Sequence, residues 1–398
     1  MRRLLPILLA AALTVAALQA SPAPAGGGPQ ESPTFGNGAN PRLGRGLRYC
    51  EAFDAVARYR ACLIDQLLKD VVASKDPADE LPRIDTYVAT AGGFLQANCH
   101  VIMHSVGRRY GREAHVTLAR LRDYLPRTNN ANCSAGFAHG LLTYLAPELA
   151  TLTPKQAAAQ CDKASTRYQR YSCIHGFGHA YMRLYGELLP YALHACKLLG
   201  PENAADCAAG AFHDYWIAVS GLDDTHRPGN VITSPRVLCA KEAGGFVRGC
   251  WYRALLERPP AKPISSGADV LSECGGLAGD QHAGCVTAAS VVSADDPFEQ
   301  MKICRGLRGA EVVDCVRGVR APDLGQSPVR EQVQLIKQCA LVDHSAQRGC
   351  YTWLGKALNV VADGRFAHAG CADLRYAATR ARCLAGARAY EGPLETFS

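Results

Sequence analysis

Apolar and polar segments alternate along most of the chain in a regular cycle. Each cycle has an apolar segment that ends near a cysteine, as in residues 193–200, followed by a polar loop that often contains Gly, Asp or Asn. A second cysteine follows this loop, and an apolar, alanine-rich segment begins there, as in residues 350–358. Strict apolar–polar alternation, the mark of a half-buried strand, is weak throughout. The pattern predicts two helices per cycle and an all-α fold.

Eighteen cysteines mark these cycles. The second cysteine recurs at intervals of 30 to 43 residues, a period near 35 that is typical of stacked helical hairpins. The sequence therefore predicts a disulfide-stapled α-solenoid, in which each staple stabilises the fold by roughly 3 kcal/mol through loop closure. Eight pairs, with their members 11 or 12 positions apart, are predicted disulfides: Cys50 with Cys62, Cys161 with Cys173, Cys196 with Cys207, Cys239 with Cys250, Cys274 with Cys285, Cys304 with Cys315, Cys339 with Cys350, and Cys371 with Cys383.

Two cysteines, Cys99 and Cys133, each stand where the second cysteine of a cycle is expected, but their cycles lack the first cysteine that would pair with it. One interpretation is a disulfide between neighbouring cycles. The other makes one or both of them thiolate ligands of a metal. An oxidising compartment favours the disulfide.

The first residues predict export. Residues 1–25 combine Arg2 and Arg3 with an apolar run and small-residue cleavage candidates, as a secretory signal does. No later run reaches 18 apolar residues, so we expect no membrane span in the mature chain. With the cysteine content, this predicts a secreted, extracellular or periplasmic protein.

The remaining chain is predicted to have three parts. Residues 26–46, rich in Pro and Gly, are typical of a flexible leader. The N-terminal half of the helical array covers 47–232, and the C-terminal half covers 233–398.

Charge and motifs exclude several function classes. The chain has 43 basic and 36 acidic residues, a net charge of +7, and no long basic run, which argues against a nucleic-acid partner. It has no P-loop or Rossmann glycine motif, so no nucleotide cofactor is expected. Solenoid surfaces commonly bind other proteins or peptides, and such a partner is an alternative role for this one.

The N-terminal half carries a duplicated histidine pattern. An H-x3-H motif occurs twice, 75 residues apart, and each copy is followed by a third histidine six residues after a cysteine. Residues i and i+4 of a helix share a face, so the two histidines of each motif project together. The pattern predicts two three-histidine sets: His100, His104 and His139, and His175, His179 and His213.

Comparison between the cycles indicates that these histidines form a functional site rather than serve only to pack the helices. The position six residues after the second cysteine holds histidine in three cycles, and His104 lies one place earlier in a fourth. In six other cycles it holds Leu, Leu, Val, Ala, Lys and Ala, so packing does not require histidine there. Equivalent positions of a stack lie side by side, so we expect the histidines to form a ladder.

Neutral imidazole is the commonest side-chain metal ligand, and it suits Cu, Fe and Zn. Three histidines hold a metal and leave a coordination position open. In ligand pattern alone, the two sets are similar to the paired three-histidine sets of type-3 copper proteins. We predict a site for Cu, Fe or Zn. Three functions remain open: a Cu or Fe oxidoreductase, a metal carrier or storage protein, and an interaction scaffold with a structural histidine ladder.

Four residues follow the two motifs at equivalent places: Arg108, Tyr110, Arg183 and Tyr185. We expect the tyrosines to contact the histidines, and the arginines to bind an anionic substrate group or a carboxylate. Asp214 follows His213, but adjacent helical side chains point about 100° apart, so we expect it to point away from the site.

Overall fold

The structure is a computed structural model, and it describes residues 41–53, 55–74, 76–91, 93–125, 132–162, 164, 167–219, 232–320, 329–361 and 371–388. The predicted signal segment lies outside these ranges. Every regular element in the described residues is a helix, and none is a strand, so the all-α class is confirmed. None of the described helices combines the length and apolar character needed to cross a membrane.

The described helices of the first half are α1 (Pro41–Cys50), α2 (Val56–Ala73), α3 (Pro77–Ala91), α4 (Gly93–Glu113), α5 (Asn132–Tyr144), α6 (Ala146–Leu149), α7 (Pro154–Cys161), α8 (Arg167–Leu184), α9 (Leu189–Leu198) and α10 (Pro201–Val219). Those of the second half are α11 (Pro235–Cys239), α12 (Gly245–Glu257), α13 (Gly267–Glu273), α14 (Gly279–Ser293), α15 (Pro297–Cys304), α16 (Ala310–Arg317), α17 (Val329–Lys337), α18 (Gln347–Val361) and α19 (Ala377–Arg388). Within the described ranges, 3₁₀ helices cover Leu118–Tyr124 and Gln338–Leu341.

Two boundaries differ from the sequence prediction. Helix α1 begins at Pro41, inside the predicted flexible leader, because Leu43 and Leu47 are buried in the core and order the segment. The alanine-rich helices begin before the second cysteine rather than at it, as α10 does at Pro201. The cysteine therefore lies within a helical turn, where its side chain faces the preceding helix.

All eighteen cysteines are paired, and none is free. The eight disulfides expected from spacing are present, and they join Cys50 to Cys62, Cys161 to Cys173, Cys196 to Cys207, Cys239 to Cys250, Cys274 to Cys285, Cys304 to Cys315, Cys339 to Cys350, and Cys371 to Cys383. The ninth joins Cys99 to Cys133. The interpretation of Cys99 or Cys133 as a thiolate ligand is therefore wrong. Both are part of the core, and no thiolate remains for a metal.

The helices that contain the second cysteines form a row, in which each contacts the next in chain order. The row consists of α2, α4, α5, α8, α10, α12, α14, α16, α18 and α19. Helix α18 also contacts α8, five places earlier in the row, so the row folds back toward itself. The open solenoid stays a prediction, whereas the row itself is a feature of the structure.

Helix starts are fixed by local and by distant acceptors. Thr153 caps α7 with a capping box, in which its hydroxyl accepts from the Gln156 amide and the Gln156 side chain accepts from the Thr153 amide. Helix α5 is capped from another helix. Asp85 of α3 accepts hydrogen bonds from the amides of Cys133 (2.8 Å) and Ser134 (3.2 Å), and from the Ser134 hydroxyl. This contact fixes the start of a helix that carries a candidate ligand, His139.

Candidate metal centre

Four helices of the row carry the six histidines. Helix α4 carries His100 and His104, α5 carries His139, α8 carries His175 and His179, and α10 carries His213. The last four are buried, with at most 3 % of their surface exposed, whereas His100 and His104 are only partly buried. The cluster therefore approaches solvent on the side of α4.

The six rings form a compact cluster rather than the expected ladder. The rings of His104 and His179 lie 4.5 Å apart between centroids, and those of His100 and His213 lie 5.2 Å apart. Neighbouring helices pack with axes about 8–10 Å apart, so a straight row would separate α4 from α8 by about 16–20 Å. The row is curved here, and side chains from non-adjacent helices meet.

Glycines allow the close approach of the two helix pairs. A Cβ atom on Gly136 would lie 2.1 Å from the carbonyl oxygen of His100, and one on Gly210 would lie 1.9 Å from that of His175. Only glycine fits at such contacts between backbones. Each contact places the histidine three residues further along, His139 or His213, against the partner helix.

Partners outside the cluster hold several of the rings. The Nε2 atom of His139 lies 3.0 Å from the Ser172 carbonyl oxygen, and Nδ1 of His179 lies 3.0 Å from Asp214 Oδ1. A carbonyl and a carboxylate only accept, so these two ring nitrogens carry the protons. The lone pairs are then on Nδ1 of His139 and Nε2 of His179, which are the nitrogens able to bind a metal.

Two other rings have partners as well. The hydroxyl of Tyr171 lies 3.2 Å from Nδ1 of His175, and a carboxylate oxygen of Glu257 lies 3.6 Å from Nε2 of His213. Hydrogen bonds from the non-coordinating nitrogen are the usual way in which proteins orient histidine ligands.

Two groups of three rings have ligand atoms close enough to share an ion. In each group, all three nitrogens lie within 4.8 Å of one another. The groups are His100, His104 and His139, and His139, His175 and His179. His139 belongs to both, and His213 lies beside the second group, with Nδ1 3.5 Å from Nε2 of His175. Nε2 of His104 and Nδ1 of His139 are both buried without a hydrogen-bond partner in the described part of the chain.

The environment keeps four of the six rings neutral. Burial lowers the pKa of His104, His139, His175 and His213 well below the usual value, because the charged imidazolium loses its hydration. The positive charge of Arg253 is a further cause for the last three. Neutral imidazole is the form that binds metals, so the pKa shift prepares the cluster for a metal ion.

Arg253 and Glu257 reach the cluster from α12, in the half of the array that lacks the histidine pattern. Arg253 is 2 % exposed, and burial raises the pKa of Glu257 while the Arg253 charge lowers it. The comparison between cycles missed both residues because it followed one position of the cycle, which holds Leu256 here. Their spacing of four residues on one helix face was the available signal.

The four residues that follow the two motifs at equivalent places lie in different surroundings. Arg108 is half-buried and its charge lowers the pKa of His104, so it is close to the cluster. Tyr110 instead packs in the core against Tyr124 and Phe137. Arg183 and Tyr185 are exposed, and the tyrosine that contacts a histidine is Tyr171.

Asp214 differs from its expected role. The expectation that it points away from the site is wrong, because its carboxylate lies 3.0 Å from Nδ1 of His179 on α8. Met103, between the histidines of the first motif, and Met182, three residues after His179, are fully buried members of the hydrophobic core.

Comparisons of the chain with protein-family models, with curated proteins and with solved structures find no match. The function is therefore inferred from the geometry of the cluster.

Proposed function

We propose that this protein is an exported metalloprotein that binds Cu, Fe or Zn at the six-histidine cluster, and that it acts as an oxidoreductase with Cu or Fe. The observation that supports metal binding best is the convergence of neutral rings with partners on their outer nitrogens. Burying so many imidazoles costs free energy unless each finds a partner, and a bound ion supplies one to every inner nitrogen.

Two features favour an enzyme over a carrier. A three-histidine set leaves a coordination position open, and His100 and His104 are the least buried histidines of the cluster, which puts this edge nearest to solvent. Arg253 adds a buried positive charge, which opposes cation binding and is a cost in a storage site. In an enzyme the same charge stabilises an anionic ligand or a developing negative charge beside the metal.

A metal carrier or storage protein is the second candidate. The burial of four of the six histidines favours it, because a buried ion is released slowly. The scaffold hypothesis predicted histidines spread along the stack, and the observed cluster does not support it. A protein or peptide partner on the outer surface stays a prediction.

Export is supported by the predicted signal and by the disulfides. Nine disulfides with no free cysteine are typical of a secreted or periplasmic protein.

Metal content is the first test. The untagged protein would be exported to an oxidising compartment, purified and analysed by elemental mass spectrometry beside His104→Ala/His179→Ala. The matched control is His194→Ala, which removes an exposed histidine outside the cluster. We expect one or two equivalents of metal in the wild type and the control, and a loss in the double variant at unchanged helicity. Absence of metal in the wild type after supplementation would refute the proposal.

The reaction class needs a second measurement. An oxidoreductase with Cu or Fe should show a reversible redox couple and consume an electron donor in the presence of an oxidant, and both should disappear in the double variant. A protein that retains only Zn, or a redox-silent metal, would be assigned to the carrier class.

A further inference from the structure

His139 belongs to both of the three-histidine groups whose ligand atoms are close enough to share an ion. We propose that the cluster binds one metal ion at a time, and that His139 is a ligand of this ion in each of two alternative places. The other ligands are the two histidines of α4 in one place and the two histidines of α8 in the other. This inference rests on the proposed metal binding, and it decides between one ion and two.

His139 lies where α5 meets both of the helices that carry the other ligands. Helix α5 packs closely against α4, since a Cβ on Gly140 would lie 2.0 Å from the carbonyl oxygen of His104. The ring of His139 packs against α8, where a Cβ on Gly176 would lie 3.1 Å from its Cδ2 atom. The backbone is thus held by one helix and the ring by another, which explains why a single side chain is within reach of both groups.

Ser172 of α8 determines which nitrogen of the His139 ring can bind an ion. Nε2 lies 3.0 Å from the Ser172 carbonyl oxygen and 3.1 Å from its hydroxyl oxygen. The carbonyl only accepts, so Nε2 carries the proton and the lone pair is on Nδ1. Nδ1 is buried and has no hydrogen-bond partner in the described part of the chain, which is the environment of a metal-binding nitrogen.

The single lone pair of His139 makes the two groups alternatives. A neutral imidazole accepts through one nitrogen, so it binds one ion at a time. A ring that bridges two ions must lose its remaining proton, and the Ser172 carbonyl oxygen, 3.0 Å from Nε2, opposes this loss because its lone pair would then face another lone pair. When His139 completes one group, the other group has only two histidines, fewer than the three that hold a metal with an open position.

The charges beside the cluster also disfavour a second ion. Asp214 and Glu257 place carboxylate oxygens 3.0 Å and 3.6 Å from ring nitrogens. The positive charges of Arg108 and Arg253 act in the opposite direction, and they lower the pKa of His104 and of His139, respectively. Two carboxylates and two guanidinium groups balance each other, so these side chains compensate neither ion. A second divalent ion would double the uncompensated charge in a buried site, where repulsion is strong.

Titration of the metal-free protein with Co(II), followed by its absorption bands and by equilibrium dialysis, measures the number of ions. We expect saturation at one equivalent per chain in the wild type and in His194→Ala, the control outside the cluster. His100→Ala and His175→Ala each remove a ligand of one place only, so each should still bind one equivalent. His139→Ala should weaken binding by more than the about 10- to 100-fold that loss of an outer partner costs.

His139→Gln is a second variant, in case His139→Ala folds poorly. Its amide can donate to the Ser172 carbonyl oxygen, but it offers no imidazole nitrogen, so the affinity should fall while the helicity measured by circular dichroism stays at the wild-type value. Electron paramagnetic resonance of the Cu(II)-loaded wild type counts the ions independently. We expect a mononuclear signal that accounts for all of the bound copper, whereas a coupled pair of Cu(II) ions would lose this signal.

Three results would each overturn this inference. The first is a wild type that saturates at two equivalents or binds a coupled copper pair. The second is a folded His139→Gln protein that binds Co(II) as tightly as the wild type. The third is loss of the bound equivalent in His100→Ala alone or in His175→Ala alone, which would confine the ion to one place. A wild type that binds no Co(II), Cu(II) or other metal would instead refute the proposed function.

Discussion

The cap that Asp85 places on α5 gives a pH-dependent prediction. The carboxyl accepts from the amides of Cys133 and Ser134 and from the Ser134 hydroxyl, yet burial outweighs these contacts and raises its pKa to about 6 from the model-compound value of 3.8. The folded protein therefore binds a proton at this group more tightly than the unfolded chain does. The resulting stability is fully present below about pH 3.8 and is lost as the pH rises through about 6.

The size of the stability change follows from the pKa shift of Asp85. A difference of about 2 pKa units corresponds to about 3 kcal/mol between the two pH limits, at about 1.36 kcal/mol per unit. Between about pH 7.5 and 4.5, the part that is realised is about 2 kcal/mol. Asp85→Asn has a similar shape and does not titrate, so the stability of the wild type relative to this variant should increase by about that amount as the pH falls.

The assay is urea unfolding of the metal-free, disulfide-intact protein, followed by circular dichroism at several pH values in the presence of a chelator. The matched control is Asp123→Asn, an exposed aspartate at the end of the first 3₁₀ helix, for which we expect a difference from wild type that varies little with pH. A wild-type-minus-Asp85→Asn difference that stays constant, or that grows as the pH rises, would contradict the assigned pKa shift.

Three further predictions test the packing, the charge and the metal. Gly210→Ala should destabilise the fold by about 1–3 kcal/mol or more in urea unfolding, because its Cβ would meet a backbone carbonyl at 1.9 Å, whereas Gly249→Ala, with its nearest neighbour at 3.5 Å, should be tolerated. Arg253→Gln should weaken azide binding to the Cu-loaded protein about tenfold, measured by absorption titration, because it removes a positive charge beside the anion. Arg253→Lys, which keeps the charge, should restore part of the affinity. Unchanged azide affinity in both variants would remove the support for an anionic ligand. Metal at about 100 times its Kd should stabilise the wild type by about 2.7 kcal/mol against thermal unfolding, and an equal gain in His104→Ala/His179→Ala would place the metal elsewhere.

Features set by local spacing could be predicted from the sequence. The interval of 11 or 12 residues between paired cysteines, such as Cys196 and Cys207, matches a helix end, a loop and the first turns of the next helix. The disulfides therefore follow from the loop geometry. The H-x3-H spacing puts His100 beside His104, with rings 4.8 Å apart, for the same local reason. The capping box at Thr153 likewise involves only neighbours in sequence.

Features set by the packing of distant helices could not be predicted. Nothing in the sequence indicates that the Asp85 side chain reaches the amide of Cys133, 48 residues later, because the contact depends on how α3 meets α5. The curvature that brings His104 to His179 is likewise a property of several helix contacts together. Asp214 shows the limit most clearly: the angle between adjacent helical residues indicates only that it differs in direction from His213, and nothing in the sequence indicates that it reaches His179 on α8.

The packing of the row also bears on the origin of the site. The close contact between a glycine and a carbonyl also occurs in helix pairs that carry no histidine of the cluster: a Cβ on Gly318 would lie 2.0 Å from the carbonyl oxygen of Thr287, and one on Gly386 would lie 2.0 Å from that of Thr352. These glycines lie three residues after a second cysteine, as Gly210 does.

The backbone arrangement therefore exists independently of the metal ligands. Histidines on two such helix pairs, α4 with α5 and α8 with α10, make up the cluster. The contact between α5 and α8 then brings the two sets together, with His139 within reach of both groups. Because both groups share His139, the loss of His139 should weaken metal binding at either group.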